Sequence, residues 1–293
     1  MKKINLLITK RGRDDYLKLV LHNFNLADSI EDYDVIIYIG EDDKDNINKI
    51  DYSVYKNLTV KHLYIPNLPQ AGRVFCRGHI LNLLLQEMRQ DYDWVSIADT
   101  DMVYRKSFFN DLAKILGTGS HRPPKNSKGS LSRQERVVIA KGVYSQTEQD
   151  SPKILAKNCD YDYIMNNYSY TDFATSSQIS MTKEYHEKIK QVLAVSSIFD
   201  TSGLGYDFIG YGAEDTLVKR ILQSSKAGLV VLNNAWVHVW HERQEVVSEN
   251  KKHNKKIMKL LQKESIIRLK AHNYYTNRQW RKLTDSIKNF LHI

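Results

Sequence analysis

The sequence predicts an α/β fold built on a mostly parallel, doubly wound sheet. Short β-branched runs alternate with stretches of helical periodicity, acidic residues directly follow two of those runs, and a basic helical pattern closes the chain. Strands that alternate with helices are typical of parallel sheets. Ligands of such sheets bind beyond the carboxyl ends of the strands, so candidate site residues are sought there.

The elements follow from the periodicity of apolar residues. Predicted strands are the apolar runs 4–9, 34–39, 58–65, 94–98 and 136–144. Helical spacing predicts helices over 16–24 and 77–88. The segment 117–129 is rich in Gly, Pro, Ser and Lys without periodicity, which predicts a mobile loop. The segment 158–170 is crowded with Tyr, Asn and Asp and is a candidate lining for a polar sugar site.

The length of 293 residues favours one catalytic domain with an appendage, predicted at 1–245 and 246–293. Two cysteines, Cys76 and Cys159, cannot form a disulfide framework, so the cytoplasm is the expected compartment. The first apolar run ends at Thr9, which is too short for a signal peptide. No apolar run approaches the roughly 20 residues that span a bilayer.

The positive charge is concentrated at the end of the chain. The formal charge is +9, and residues 250–293 alone carry twelve Lys or Arg against two acidic residues, which leaves the remainder near neutral. Binding of nucleic acid is therefore not expected of the catalytic part. Two basic helices, 249–269 and 279–291, are predicted here.

These tail helices have two interpretations. Apolar positions between the lysines favour a peripheral interaction with an anionic surface at the inner face of the cell membrane, or with a lipid-linked acceptor. Those positions are Ile257, Leu260, Leu261, Ile266 and Ile267. A solvated helix pair that packs on the domain is the equally weighted alternative. A basic module that binds membrane or nucleic acid without catalysis stays open as a competing class.

Asp99 and Asp101 follow the predicted strand 94–98 with one residue between them. Two carboxylates at a strand end can hold a divalent cation against a diphosphate, because Mg²⁺ and Mn²⁺ favour hard oxygen ligands. A D-x-D pattern is common, however, and alone it is better interpreted as a solvated turn, at roughly three to one.

His238 and His241 lie three residues apart, shortly after the apolar run 229–232. On a helix this spacing places both imidazoles on one face, and in an irregular loop both can still reach one ion. By themselves they are better interpreted as two ordinary histidines. Beside the upstream aspartates, a mixed His/Asp site suited to Mn²⁺ is favoured.

The segment 210–215, Gly-Tyr-Gly-Ala-Glu-Asp, precedes a run with apolar residues at helical spacing. A glycine loop that leads into a helix can present carboxylates to a ligand, and the helix dipole favours acidic residues there. A simple helix start is an equally good interpretation in isolation. The catalytic interpretation requires one carboxylate to accept a proton from an attacking sugar hydroxyl.

A family resemblance joins these motifs. Residues 75–82, Phe-Cys-Arg-Gly-His-Ile-Leu-Asn, resemble the F-x-R-A-x-x-x-N stretch of the β-1,4-galactosyltransferases and related bacterial enzymes, including chondroitin-polymerase-type domains. The loop 9–13 is similar to that family's P-F-R-x-R nucleotide loop, and 99–101 to its D-x-D. Residues 210–215 resemble its G-W-G-G-E-D, and 238–241 its M-x-x-H or H-x-W-H metal segment.

The resemblance implies a GT-A fold, which is Rossmann-like, a UDP-sugar donor and Mn²⁺, with Mg²⁺ as the alternative ion. The implied metal ligands are Asp101, His238 and His241, and the implied nucleotide-binding residues are Arg11, Arg13, Arg77 and Asp99. Tyr211 stands where the family has a tryptophan that closes over donor and acceptor. Glu214 would bind acceptor hydroxyls, and Asp215 would be the general base.

This chain also departs from the family pattern. Thr9 replaces the proline of the first loop, and 172–175 differs from the family's F-G-G segment, so the donor sugar stays open. Galactose, N-acetylgalactosamine, glucose types and glucuronic acid are the candidates. Asp215 stands where the similar retaining polypeptide N-acetylgalactosaminyltransferases carry Asn, and an amide cannot accept a proton as a carboxylate does. Inversion is therefore predicted.

The predicted function is metal-dependent transfer of a sugar from a UDP-sugar to a hydroxyl of a saccharide or lipid-linked glycan, in bacterial surface polysaccharide synthesis. A sugar nucleotidyltransferase is the alternative enzyme. It is disfavoured because no Gly-rich phosphate loop with a following Lys comes after the first predicted strand.

Overall fold

The structure is a computed structural model that describes most of the first 193 residues and part of the remainder. The described residues are 1–42, 50–65, 75, 77–117, 136–145, 148–171, 178–193 and 228–241, with 252, 255, 256, 258, 259, 262 and 263 in the basic tail.

Helices and strands alternate along the first part of the chain, as the periodicity predicts. The strands are β1 (Lys2–Lys10), β2 (Tyr33–Glu41), β3 (Thr59–Tyr64), β4 (Trp94–Ala98), β5 (Met102–Tyr104), β6 (Arg136–Ser145), β7 (Tyr170–Thr171), β8 (Gln178–Thr182) and β9 (Gly228–His238). The helices are α1 (Asp14–Asn25), α2 (Arg77–Glu87), α3 (Phe108–Leu116), α4 (Ser151–Ala156), α5 (Tyr161–Asn167) and α6 (Lys183–Leu193).

The first four long strands form a parallel sheet in the order β3-β2-β1-β4. Alternate residues of β1 point to opposite faces of this sheet. Leu7 packs in one core cluster with residues of α2, whereas Leu6 and Ile8 pack in the other cluster with residues of α1. Helices therefore cover both faces of the sheet, and the doubly wound α/β class is confirmed.

The second half of the sheet adds antiparallel strands. β8 pairs antiparallel with β4, β6 antiparallel with β8, β9 parallel with β6, and β5 antiparallel with β9. The resulting order is β3-β2-β1-β4-β8-β6-β9-β5, with β7 paired to β6. β5 follows β4 after only three residues but is the last strand in this order, so the sheet curls and brings β5 close to the end of β4.

The short strand β5 is fixed by packing. Phe24 of α1 stacks on Tyr104 with ring centroids 4.8 Å apart, and the Phe108 ring centroid lies 4.6 Å from that of Tyr104. The Asn23 side-chain oxygen accepts a hydrogen bond of 2.7 Å from the Tyr104 backbone N–H. Because a buried backbone donor is costly to leave unsatisfied, Asn23 continues the hydrogen bonding of the sheet at this edge.

The seven described residues of the tail are all helical, in agreement with the predicted helix 249–269. Met258 is buried in the same core cluster as α2, while Lys255, Lys256 and Lys259 are exposed. At Met258 the tail therefore packs on the core. No helix among the described residues is both long and apolar enough to cross a bilayer. The predicted loop beyond Gly117, the segment 172–175 and the predicted helix 279–291 lie outside the described residues.

Candidate metal centre

Asp101 lies in the turn between β4 and β5, at the carboxyl end of β4. Its side chain is only 5% exposed. Burying a carboxylate is unfavourable unless charges or hydrogen bonds compensate it, so the groups around Asp101 determine its chemistry.

The two histidines reach Asp101 through strand β9. His238 is the last residue of β9 and pairs with Met102 across the ladder, beside Asp101. The Val239 backbone N–H then donates to the Asp101 carbonyl oxygen at 2.9 Å, which keeps the chain alongside the turn as far as His241. The spacing of three residues is thus realised neither on a helix nor in a free loop but at the end of a paired strand.

The three side chains converge on one point. The Nε2 atom of His238 lies 3.5 Å from Asp101 Oδ1, and that of His241 lies 2.9 Å from Asp101 Oδ2. One ligand atom from each residue lies within 4.8 Å of the others. Ligands that share one ion at about 2.0–2.2 Å each are separated by distances of this order. The donor set of two imidazoles and one carboxylate therefore fits a divalent transition-metal ion.

Arg13 also contacts the Asp101 carboxylate. Gly12 and Arg13 both have positive φ, at 61° and 59°, so the chain turns sharply between β1 and α1. That turn brings Arg13 Nη1 to 2.7 Å from Asp101 Oδ2. Burial acts to raise the pKa of Asp101, but His238, His241 and Arg13 outweigh it and hold the pKa well below its ordinary value. The Asp101 carboxylate is therefore ionised.

Arg77 and Asp99 form a second ion pair next to the turn. Nε and Nη2 of Arg77 donate to the same Asp99 oxygen at 3.1 and 2.8 Å. Arg77 is 4% exposed, whereas the Asp99 side chain is 26% exposed. The guanidinium therefore orients a carboxylate that still reaches the surface.

A buried ionic cluster lies at the carboxyl ends of β1, β2 and β3. Lys10 contacts Glu41 and lies 2.6 Å from Asp14, and the other Glu41 oxygen lies 2.7 Å from His62 Nε2. Lys10 and Glu41 are almost fully buried, so each charge compensates the other. This cluster was not predicted from the sequence, although its signal was visible: Glu41 and Asp42 follow the apolar run of β2 after Gly40.

The sequence-predicted residues fall into three groups. Arg13, Asp101, His238 and His241 are in contact around one carboxylate. Arg77 and Asp99 pair beside them, and Arg11 Nε lies 3.4 Å from Asp42 at the end of β2. Tyr211, Glu214 and Asp215 lie outside the described residues.

The fold resembles that of solved structures. No family model and no curated protein matches the sequence. Residues 1–349 of S. aureus TarS in complex with UDP-GlcNAc match with a TM-score of 0.54 and 15% identity, over 90% of this chain and 66% of that chain. The complex with UDP matches with a TM-score of 0.52 and 14% identity, over 89% of this chain and 65% of that chain. The fold is of the GT-A type.

This chain spans just under two thirds of the length of those TarS structures. A Drosophila β1,4-galactosyltransferase 7 in complex with manganese, UDP-Gal and xylobiose matches with a TM-score of 0.41 and 11% identity, over 86% of this chain and 79% of that chain. The likeness to TarS is one of fold, because the identity is low.

Proposed function

We propose that this protein is a metal-dependent glycosyltransferase that moves a hexosyl group from a UDP-sugar to a hydroxyl of a saccharide or lipid-linked glycan. The observation that carries the proposal is the meeting of Asp101 with His238 and His241 at the carboxyl end of β4, in a GT-A fold. The TarS structures with this fold contain UDP-GlcNAc or UDP, which supports a UDP-sugar donor.

The donor set favours Mn²⁺ over Mg²⁺, because imidazole nitrogen suits transition metals whereas Mg²⁺ selects oxygen ligands. Asp101, His238 and His241 would hold the ion. When bound, it would neutralise the charge that grows on the diphosphate of the leaving UDP.

The basic residues near the centre would bind the nucleotide. Arg13 already contacts Asp101, so a diphosphate bound next to that carboxylate would lie within reach of the guanidinium. Arg77 would hold Asp99 in place for a ribose hydroxyl. Arg11 would contribute a further cation on the same side of the sheet, beside Asp42.

The residues that would bind the acceptor and remove its proton belong to the motif 210–215. Tyr211 would close over the two sugars and Glu214 would bind acceptor hydroxyls. Asp215 would take the proton from the acceptor oxygen as that oxygen bonds to the anomeric carbon and the bond from that carbon to UDP breaks. Attack from the face opposite UDP inverts the anomeric configuration. We place this reaction in bacterial surface polysaccharide synthesis, at the cytoplasmic face of the membrane.

The experiment is a screen of UDP-sugars for Mn²⁺-dependent release of UDP in the presence of saccharide acceptors. Asp215→Asn should lower transfer by at least about 100-fold, because it removes the base, and should leave the affinity for UDP and Mn²⁺ near that of the wild type. Asp91→Asn, at an exposed carboxylate paired with Lys3, is the matched control and should have no effect.

Two results would contradict the proposal. Release of pyrophosphate instead of UDP would identify a nucleotidyltransferase. An equal loss of UDP affinity in Asp215→Asn would show that Asp215 binds nucleotide and does not act as the base. NMR of the product should show the anomeric configuration opposite to that of the donor.

A further inference from the structure

The segment that carries His241 leaves the sheet after His238 and needs support from elsewhere. β9 ends at His238, so residues 239–241 are not part of a continued ladder. The backbone bond from Val239 to Asp101 fixes the start of this segment. His241 lies two residues further on, and its imidazole must still point at Asp101.

Two hydroxyl groups hold the residue before His241. The Tyr16 hydroxyl donates to the Trp240 carbonyl oxygen at 2.9 Å, and the Ser151 hydroxyl donates to the same oxygen at 2.6 Å. Tyr16 belongs to the first turn of α1, and Ser151, which is 2% exposed, begins α4. A carbonyl oxygen has two lone pairs, so the Trp240 carbonyl can accept both bonds.

Tyr16 also touches the imidazole itself. Its ring meets that of His241 edge to face, with centroids 6.0 Å apart and an interplanar angle of 88°. This arrangement is favourable for aromatic pairs and limits rotation of the imidazole. Tyr16 follows Arg13 by three residues, so one turn of chain supplies both a contact to the Asp101 carboxylate and a contact to the histidine segment.

We propose that Tyr16 and Ser151 are positioning residues of the metal centre, which fix His241 by holding the Trp240 carbonyl from two helices. This inference rests on the proposed function, since it assigns the support of the same ion. Outer residues that orient metal ligands typically contribute about 10- to 100-fold to metal affinity. Without both hydroxyls, the Trp240 carbonyl loses its two side-chain donors, and the imidazole of His241 is no longer held towards Asp101.

The test measures Mn²⁺ affinity by isothermal titration calorimetry on the full chain, without a sugar substrate. The double variant Tyr16→Phe/Ser151→Ala keeps the aromatic ring on His241 and removes both donors. It should bind Mn²⁺ at least about 10-fold more weakly than the wild type, and each single variant roughly three- to tenfold more weakly. The visible spectrum of the Co²⁺-loaded double variant should differ from that of the wild type, because the ligand set around the ion changes.

Matched controls remove hydroxyls of the same kind elsewhere. Tyr33→Phe removes a bond of 2.8 Å to Asn110, and Ser107→Ala removes one of 2.7 Å to Asp111. Both should bind Mn²⁺ with an affinity close to that of the wild type. If the double variant is unfolded by circular dichroism, the Tyr16→Phe single variant decides the question.

Two outcomes overturn the inference and leave the proposed function intact. One is a Mn²⁺ affinity in the deciding variant that equals that of the wild type. The other is an equal loss of affinity in the matched controls, which would mean a general loss of stability. A wild-type chain that binds no Mn²⁺ would instead overturn the proposed function, and the inference with it.

Discussion

At the scale of single residues, the buried carboxylate of Asp101 lies beside cationic side chains that compensate its charge. Asp101 is held ionised by His238, His241 and Arg13 despite its burial. His186, on α6 at the other end of β4, is in the opposite situation. It shares a hydrogen bond of 2.7 Å with the Tyr92 hydroxyl, and it is buried as a neutral group.

His186 makes the stability of the protein depend on pH. Burial, and then the charge of Lys190, lowers the pKa of His186 from 6.5 to about 4. Between these values the unfolded chain binds a proton that the folded chain does not. The contribution of His186 to the free energy of unfolding is therefore highest above pH 6.5 and falls progressively as the pH drops from 6.5 to 4. We expect His186 to account for about 2 kcal/mol of stability lost between about pH 7.5 and about pH 5.

The measurement is the free energy of unfolding in urea at the same two pH values, for the wild type and for His186→Gln. The variant keeps a hydrogen-bonding side chain but cannot titrate, so it should lose less stability on acidification. His22→Gln, at a partly exposed histidine of α1, should retain the wild-type dependence. An identical pH dependence in wild type and His186→Gln would refute the assignment.

At the scale of elements, the pairing of β6 with β9 sets the position of the histidine segment. The ladder shifts register between Ala140 and Gly142, and Trp236 lies opposite Gly142. The Trp236 indole N–H donates to the Ala140 carbonyl at 3.2 Å, so the indole lies over the backbone of β6. A side chain at 142 would occupy the same space.

Gly142→Ala should therefore destabilise the fold. A Cβ atom at 142 would lie 2.1 Å from the Trp236 carbonyl oxygen and 2.2 Å from its ring. Because the backbone must move, we expect a loss of roughly 3 kcal/mol, at the upper end of the cost of overpacking. Chemical denaturation measures this loss.

The stability of Gly142→Ala is best compared with that of Gly12→Ala. No atom lies within 4 Å of a Cβ built at Gly12, so only its positive φ of 61° opposes the substitution. The expected cost there is about 1 kcal/mol. Equal stability of Gly142→Ala and the wild type would show that β6 and β9 do not pair in this register.

The periodicity of the sequence predicts the parallel half of the sheet well, and in the other half it predicts β6 but not β5, β7, β8 or β9. β1, β2 and β4 are buried apolar runs, and each lies close to its predicted bounds. β5 has three residues, too few to show an alternation. β8 does alternate polar and apolar residues, but over only five residues, and it was not among the predicted strands. The pairing of both strands with distant neighbours is not visible in a local pattern.

The residues that could bind a metal in the candidate site were predictable from the sequence, but the residues that support them were not. Asp101, His238 and His241 carry metal-binding side chains in recognisable spacings, and the structure brings them together. Tyr16 and Ser151 act through a backbone carbonyl of a distant segment, and a hydroxyl-bearing residue in a helix gives no local signal of such a bond. Support of this kind becomes visible only in three dimensions.

At the scale of the whole molecule, the fold brings three remote segments to one edge of the sheet. The turn after β1 supplies Arg13, the turn after β4 supplies Asp99 and Asp101, and the end of β9 supplies the histidines. Ligands bind beyond the carboxyl ends of strands in sheets of this class, and β1 and β4 both end here.

The central claim is that this edge binds a divalent ion through Asp101, His238 and His241. The most direct test is anomalous diffraction near the manganese absorption edge from crystals grown with Mn²⁺ and UDP. We predict one strong peak about 2.0–2.3 Å from a carboxylate oxygen of Asp101 and from a nitrogen of each histidine, in contact with the diphosphate. A manganese peak at any other set of side chains, with the contacts between Asp101 and the histidines intact, would contradict the account.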